Sequence, residues 1–250
     1  MSPIVRTWLG IVSVVLMITA LYMVFVYVPT EATQGIVQRI FYFHVPCAWV
    51  AFAAFGIVAL SGVLYLWLGQ DVWDDLGYAA AECGLVFCTL VLITGSLWAR
   101  PIWGVWWTWD SRLTTTLLLW LLYVGYLMLR NAGGDNPQIA RLAAVVGIVA
   151  AIDVPVVVVS VRLWRTIHPA VLLTRQGGHG LQDPRMVATL LFSMFTFTVL
   201  FAWLLMLRLA TVRAQTRIHR LELGLALAEA AAQDRYSEAR SIERKSIRSS

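Results

Sequence analysis

Charge is what this sequence has least of. Only 13% of its 250 residues are Asp, Glu, Lys or Arg, and 60% are hydrophobic. A soluble domain gives about a quarter of its residues to charge. The shortage excludes a water-soluble globule and makes lipid the solvent for most of the outside. Cysteine is scarce too. Cys47, Cys83 and Cys88 lie in apolar runs and form neither CxxC nor CxxCH, so they read as small packing residues, with a redox role as the alternative. The net charge of +5 is spread over helix ends and the C-terminal tail. That is how membrane proteins distribute it, and no basic stripe marks a nucleic-acid reader.

What is present in abundance is long apolar runs. Six stand out, at Trp8–Val28, Val45–Leu68, Tyr78–Trp98, Leu113–Leu129, Leu142–Leu163 and Met186–Leu207. Each is near the ~20 residues that cross the hydrocarbon core as a helix. The first lacks Ala-x-Ala-like cleavage chemistry after Val28 and reads as an uncleaved crossing. The expected fold is an all-α integral membrane protein of six transmembrane helices. Residues 1–210 form the membrane domain, and a Trp-rich loop at 98–114 joins crossings three and four. Residues 211–250 form a C-terminal tail, helical to about 240 and then disordered.

Six crossings put loops one, three and five on one face, and loops two and four with both termini on the other. Of the Lys and Arg residues, seven fall on the first face and twelve on the second. The positive-inside rule therefore favours cytoplasmic termini, although much of the excess sits in the tail.

The third loop holds five tryptophans within twelve residues: Trp98, Trp103, Trp106, Trp107 and Trp109. An interfacial aromatic belt is one reading. A platform for a planar apolar ligand is the other, because large rigid rings stack at little entropic cost. Asp110 precedes the fourth crossing and suits its N-cap. Arg112 can pair with it or snorkel. Arg100 and Arg112 are also candidate partners for ligand carboxylates.

Two histidines share that face. His44 stands where loop one enters the second crossing, and His168 just beyond the fifth. Two neutral imidazoles can fill both axial positions of a heme iron, or they can simply be polar helix ends. His179 is a secondary candidate in a glycine-rich stretch, and His219 lies on the other face. Within the membrane, Asp153 is expected to bond the backbone freed by Pro155, or to serve a function inside the bundle. Glu82 is expected near the even-numbered end of the third crossing.

The run Trp103-Gly-Val-Trp-Trp-Thr-Trp-Asp-Ser-Arg-Leu-Thr114 resembles the WWD signature of heme-handling membrane proteins. Within that superfamily the chain resembles the heme exporter protein C (CcmC) family, from its first crossing through its sixth, including the His-Val-Pro segment at His44 and the stretch leading to His168. The resemblance implies a bacterial inner-membrane protein with cytoplasmic termini. Heme b would sit at the periplasmic face against the tryptophan loop, with His44 and His168 as axial ligands. It also implies a non-enzymatic role in cytochrome c maturation: heme is delivered to the periplasmic chaperone CcmE, with the small protein CcmD and the ABC-transporter subunits CcmA and CcmB as partners. The site is expected as an exposed platform with an accessible porphyrin edge. A redox subunit holding heme b, a permease for another substrate and a ligand-free scaffold are the rival readings.

Overall fold

The computed structural model describes residues 3–134, 136–164, 181 and 183–248. Every regular element among them is helical: α1 (Pro3–Tyr22), α2 (Phe41–Leu68), α3 (Asp71–Trp103), α4 (Ser111–Gly133), α5 (Pro137–Ala151), α6 (Asp153–Leu163) and α7 (Pro184–Arg248). A π turn at Met23–Tyr27 extends α1, and a 3-10 turn at Ile36–Ile40 leads into α2. Six helical stretches are long and apolar enough to cross a membrane, α5 and α6 together making the fifth.

The helix ends follow local chemistry. Gly69 closes α2 in the left-handed conformation at φ 66°, its N–H donating to Tyr65 O at 2.9 Å, a conformation glycine adopts without a Cβ penalty. Asp71 and Asp74 stand in the first turn of α3, where the helix dipole favours negative charge. Asn136 caps α5 by accepting from Gln138 N at 2.9 Å, ahead of Pro137 at the first helical position.

Three boundaries differ from the sequence expectation. α3 does not stop at Trp98 but carries Pro101 within it to Trp103, and Gly104 (φ 76°) ends it with its N–H on Arg100 O at 3.0 Å. The third loop is therefore Gly104–Asp110, and Trp98, Arg100 and Trp103 are helical. α2 starts at Phe41, which puts His44 in its first turn and not at a loop junction. α7 continues through Ser241–Arg248, which the tail's polar composition suggested as disordered.

Between helices in lipid, close packing and hydrogen bonds replace the hydrophobic driving force. The core shows both. Phe55 of α2 stacks on Tyr123 of α4, ring centroids 3.7 Å apart at 11°. The Tyr123 hydroxyl lies 3.2 Å from Gly147 O of α5 and 3.4 Å from Phe55 O. Gly84 lets α3 approach that stack, since a Cβ there would meet Phe55 at 2.7 Å. All three cysteines are free. Cys47 and Cys88 are buried in this core and Cys83 packs against it, as the packing reading expects.

Two compact units result, Met1–Leu209 and Ala210–Ser250. Within the first, the expected parity is seen for loops one and three, most of loop five lying outside the described residues. Loops one and three meet at one end, where Trp98 Nε1 donates to Gln34 Oε1 at 3.0 Å. At the other end Arg130 is clamped to Asp74, Tyr78 donates to Asn131 at 2.6 Å, and Arg208 grips Glu82, with Nη2–Oε1 at 2.8 Å.

Candidate functional site

A cavity of about 360 Å³ opens between α2, α3, α4, α6 and α7 at the end where loops one and three meet. From the sequence candidates it gathers His44, Trp98, Trp103, Trp107 and Arg112. Each is delivered by a different local device. His44 projects from the first turn of α2. Trp98 and Trp103 come from the last turns of α3. Trp107 comes from the short loop, and Arg112 from the first turn of α4.

Loop one helps aim Trp98. Glu31 Oε2 accepts from Thr33 N at 2.8 Å and also from Gln34 N. This folds the chain into an Asx-like turn and presents Gln34 Oε1 to the Trp98 indole. Trp98 then stands edge-on to His44, centroids 5.8 Å apart at 68°, and edge-on to Phe41 at 5.9 Å. Such T-shaped packing fixes the rings against each other. On its other side His44 Nδ1 lies 3.0 Å from Thr94 Oγ1 of α3.

The remaining loop candidates stand outside the cavity. Trp106 is 57% exposed and Trp109 76%. Arg100 bonds Gly104 O and lies over the Trp106 ring at 6.0 Å. Asp110 caps α4 as expected, accepting from Arg112 N at 3.0 Å. The expected open platform is thus replaced by a cleft holding three tryptophans, with two more on its rim. The cause is α3: its extra turn carries Trp98 and Trp103 inward and leaves only a short loop to display the others. His168, Arg165, Arg175 and His179 lie outside the described residues.

The cleft presents apolar walls and a few polar atoms. Of these, Trp107 Nε1 is buried without a hydrogen-bond partner among the described residues; Thr108 Oγ1 and Ser111 Oγ, also buried and unpartnered among them, are not on the cleft's lining. A buried donor left unpaired costs free energy, so an acceptor on a ligand in the cleft would satisfy the Trp107 N–H. No group of three or more His, Cys, Asp or Glu that could hold a bare metal ion occurs among the described residues. A heme iron needs only axial ligands from protein, and its ring needs apolar and aromatic contact. The donor set fits that group: one imidazole, indole walls, an unpaired indole N–H and an arginine.

Several lining residues carry no mark in the sequence. Gly95, Ser96 and Ala99 line the cleft from α3 with little bulk, and Trp49, Val157 and Met194 line it from α2, α6 and α7. Their helical spacing is visible in the sequence but matches ordinary core packing. Asp153 does not make the expected backbone bond with Oδ2, which is buried without a partner among the described residues. The π turn and Pro46 show that these helices accommodate irregular backbone without using such a carboxylate.

The model of the heme exporter protein C family matches residues 1–223. The chain is 36% identical to heme exporter protein C of Bradyrhizobium diazoefficiens over 224 residues, covering 88% of this chain and 82% of the relative. Against heme exporter protein C of Escherichia coli K12 it is 36% identical over 209 residues, 81% of each chain. Against that of Haemophilus influenzae it is 33% identical over 183 residues, 73% and 74% of the two chains. With these matches running through α2, α3, α4 and the cleft between them, the chain belongs to the heme exporter protein C family.

Proposed function

We propose that the cleft holds heme b as cargo and passes it to a periplasmic heme chaperone of the CcmE type during cytochrome c maturation. The observation that carries this reading is the convergence of His44, Trp98, Trp103, Trp107 and Arg112 on one apolar cavity. His44 supplies one axial nitrogen. His168, on the same face by loop parity, supplies the other. Trp98, Trp103 and Trp107 contact the ring, and Arg112 meets the propionates. Arg100, Asp110, Trp106 and Trp109 form the rim, where the cargo's edge leaves for the chaperone.

The role is handling and transfer: this chain's side chains hold and release the cargo, and the covalent bond forms on the chaperone. The reading places the protein in a bacterial inner membrane, and the charge count supports cytoplasmic termini, which would put the cleft on the periplasmic side. CcmA, CcmB and CcmD are the expected companions. The test is chaperone loading. With the complex assembled in membranes, His44→Ala and His168→Ala should each lower covalent heme on the chaperone at least tenfold. Loading at the wild-type level in the double variant would overturn the reading.

A further inference from the structure

We infer that Thr94 is a positioning residue for His44, fixing which imidazole nitrogen is offered to the cleft. The inference rests on the proposal above that His44 ligates iron.

Thr94 lies on α3, and its hydroxyl has one proton to give. That proton is already committed to the helix: Oγ1 lies 2.6 Å from Leu90 O, with Val91 O at 3.3 Å as the alternative. Towards His44 Nδ1 at 3.0 Å the oxygen can offer only a lone pair. The contact must then be Nδ1–H donating to Oγ1. A neutral imidazole has a single N–H, so Nε2 is the unprotonated nitrogen, the form that a metal takes.

The bundle uses the same arrangement elsewhere, where the donor is not in question. Thr89 Oγ1 donates to Leu85 O and accepts from Trp120 Nε1 at 2.8 Å. Thr198 Oγ1 donates to Met194 O and accepts from Trp49 Nε1 at 3.2 Å. An indole nitrogen can only donate. At Thr94 the partner is an imidazole, and the same lone pair selects a tautomer. The next residue completes the seat. A Cβ on Gly95 would lie 3.3 Å from His44 Cε1, so a side chain there would require the ring to shift by a few tenths of an ångström.

The experiment uses the full-length protein purified with its heme, comparing Thr94→Val, Thr94→Ser and His44→Ala with wild type. Heme is counted per correctly folded, monodisperse protein, and the spectrum and reduction potential of the bound fraction are recorded. Removing the hydrogen-bond partner of a ligating histidine changes affinity by about 10–100-fold. Thr94→Val should lose heme on that scale, and its residual heme should have a raised potential, since the imidazole becomes a weaker donor to ferric iron. Thr94→Ser should restore affinity, spectrum and potential. Gly95→Ala gives an independent arm with an intact hydroxyl and should shift the spectrum in the same sense as Thr94→Val. If His44→Ala loses heme while Thr94→Val keeps wild-type affinity, spectrum and potential, Thr94 does not position the ligand. Equal loss in the Ser and Val variants would also overturn the positioning role. If His44→Ala itself keeps the wild-type heme signature, the ligand assignment fails first.

Discussion

At the scale of single residues, the five tryptophans divide into two groups with different expected behaviour. Trp107 lines the cleft with its Nε1 buried and unpaired among the described residues, while Trp109 is 76% exposed. Trp107→Phe keeps most of the apolar surface but removes the N–H. It should weaken heme retention several-fold in a titration of apoprotein, whereas Trp109→Phe should leave the binding curve unchanged. Equal effects from both would mean that the cleft and rim are wrongly divided. The sequence shows the cluster clearly but not this division, because indole density says nothing about which ring faces inward. His44 is legible as a rare polar side chain near an apolar run. Thr94 is not, since one threonine in a membrane helix usually satisfies its hydroxyl on its own backbone.

Elements respond to their caps and junctions. Gly104 ends α3 at φ 76°, so Gly104→Ala places a Cβ in the left-handed region at a cost of about 1 kcal/mol. Its expected signature is faster proteolysis within Gly104–Asp110 while the rest of the bundle stays protected. Asp183 precedes α7, and its carboxylate accepts from the Arg185 side chain and from Arg185 N at 2.7 Å. Those bonds hold its pKa below the usual carboxylate range, the side-chain bond first and the backbone bond second. A lowered folded-state value means that the stabilisation is present above the unfolded pKa and lost as pH falls through the folded one. Asp183→Asn should therefore remove an acid-side loss of order at the start of α7, read by hydrogen exchange from neutral to strongly acidic pH. Element positions are readable from the apolar runs, but their ends are not. Pro101 suggests a break, yet the helix keeps its course for another half turn until Gly104 can turn the chain.

At the scale of the whole molecule, the unit Met1–Leu209 holds the cleft between α2, α3, α4, α6 and α7, and its two ends are built differently. One end carries the cross-helix ion pairs Arg130–Asp74 and Arg208–Glu82, while at the other the cross-helix bonds of Trp98 and His44 are neutral and the charged bonds of Glu31 and Asp183 are local. Surface ion pairs are worth little in water, but partly buried ones leave a stranded charge when one partner is removed. Arg130→Ala should lower the unfolding midpoint of the membrane protein without changing heme affinity in the folded fraction. The count of crossings and the sharing of a face by loops one and three are legible because both follow from hydropathy and parity alone. The cleft itself is not. Gly95, Ser96 and Ala99 line it for want of bulk, and a lack of bulk reads the same in a packed core.

The central claim is that the cleft binds heme through His44. Its most direct measurement is the absorption spectrum of the purified full-length protein, wild type beside His44→Ala and Trp109→Phe. Wild type and Trp109→Phe should show the same Soret and visible bands with the same heme content per protein. His44→Ala should show a shifted Soret band and at least tenfold less heme. An unchanged spectrum and heme content in His44→Ala would contradict the account.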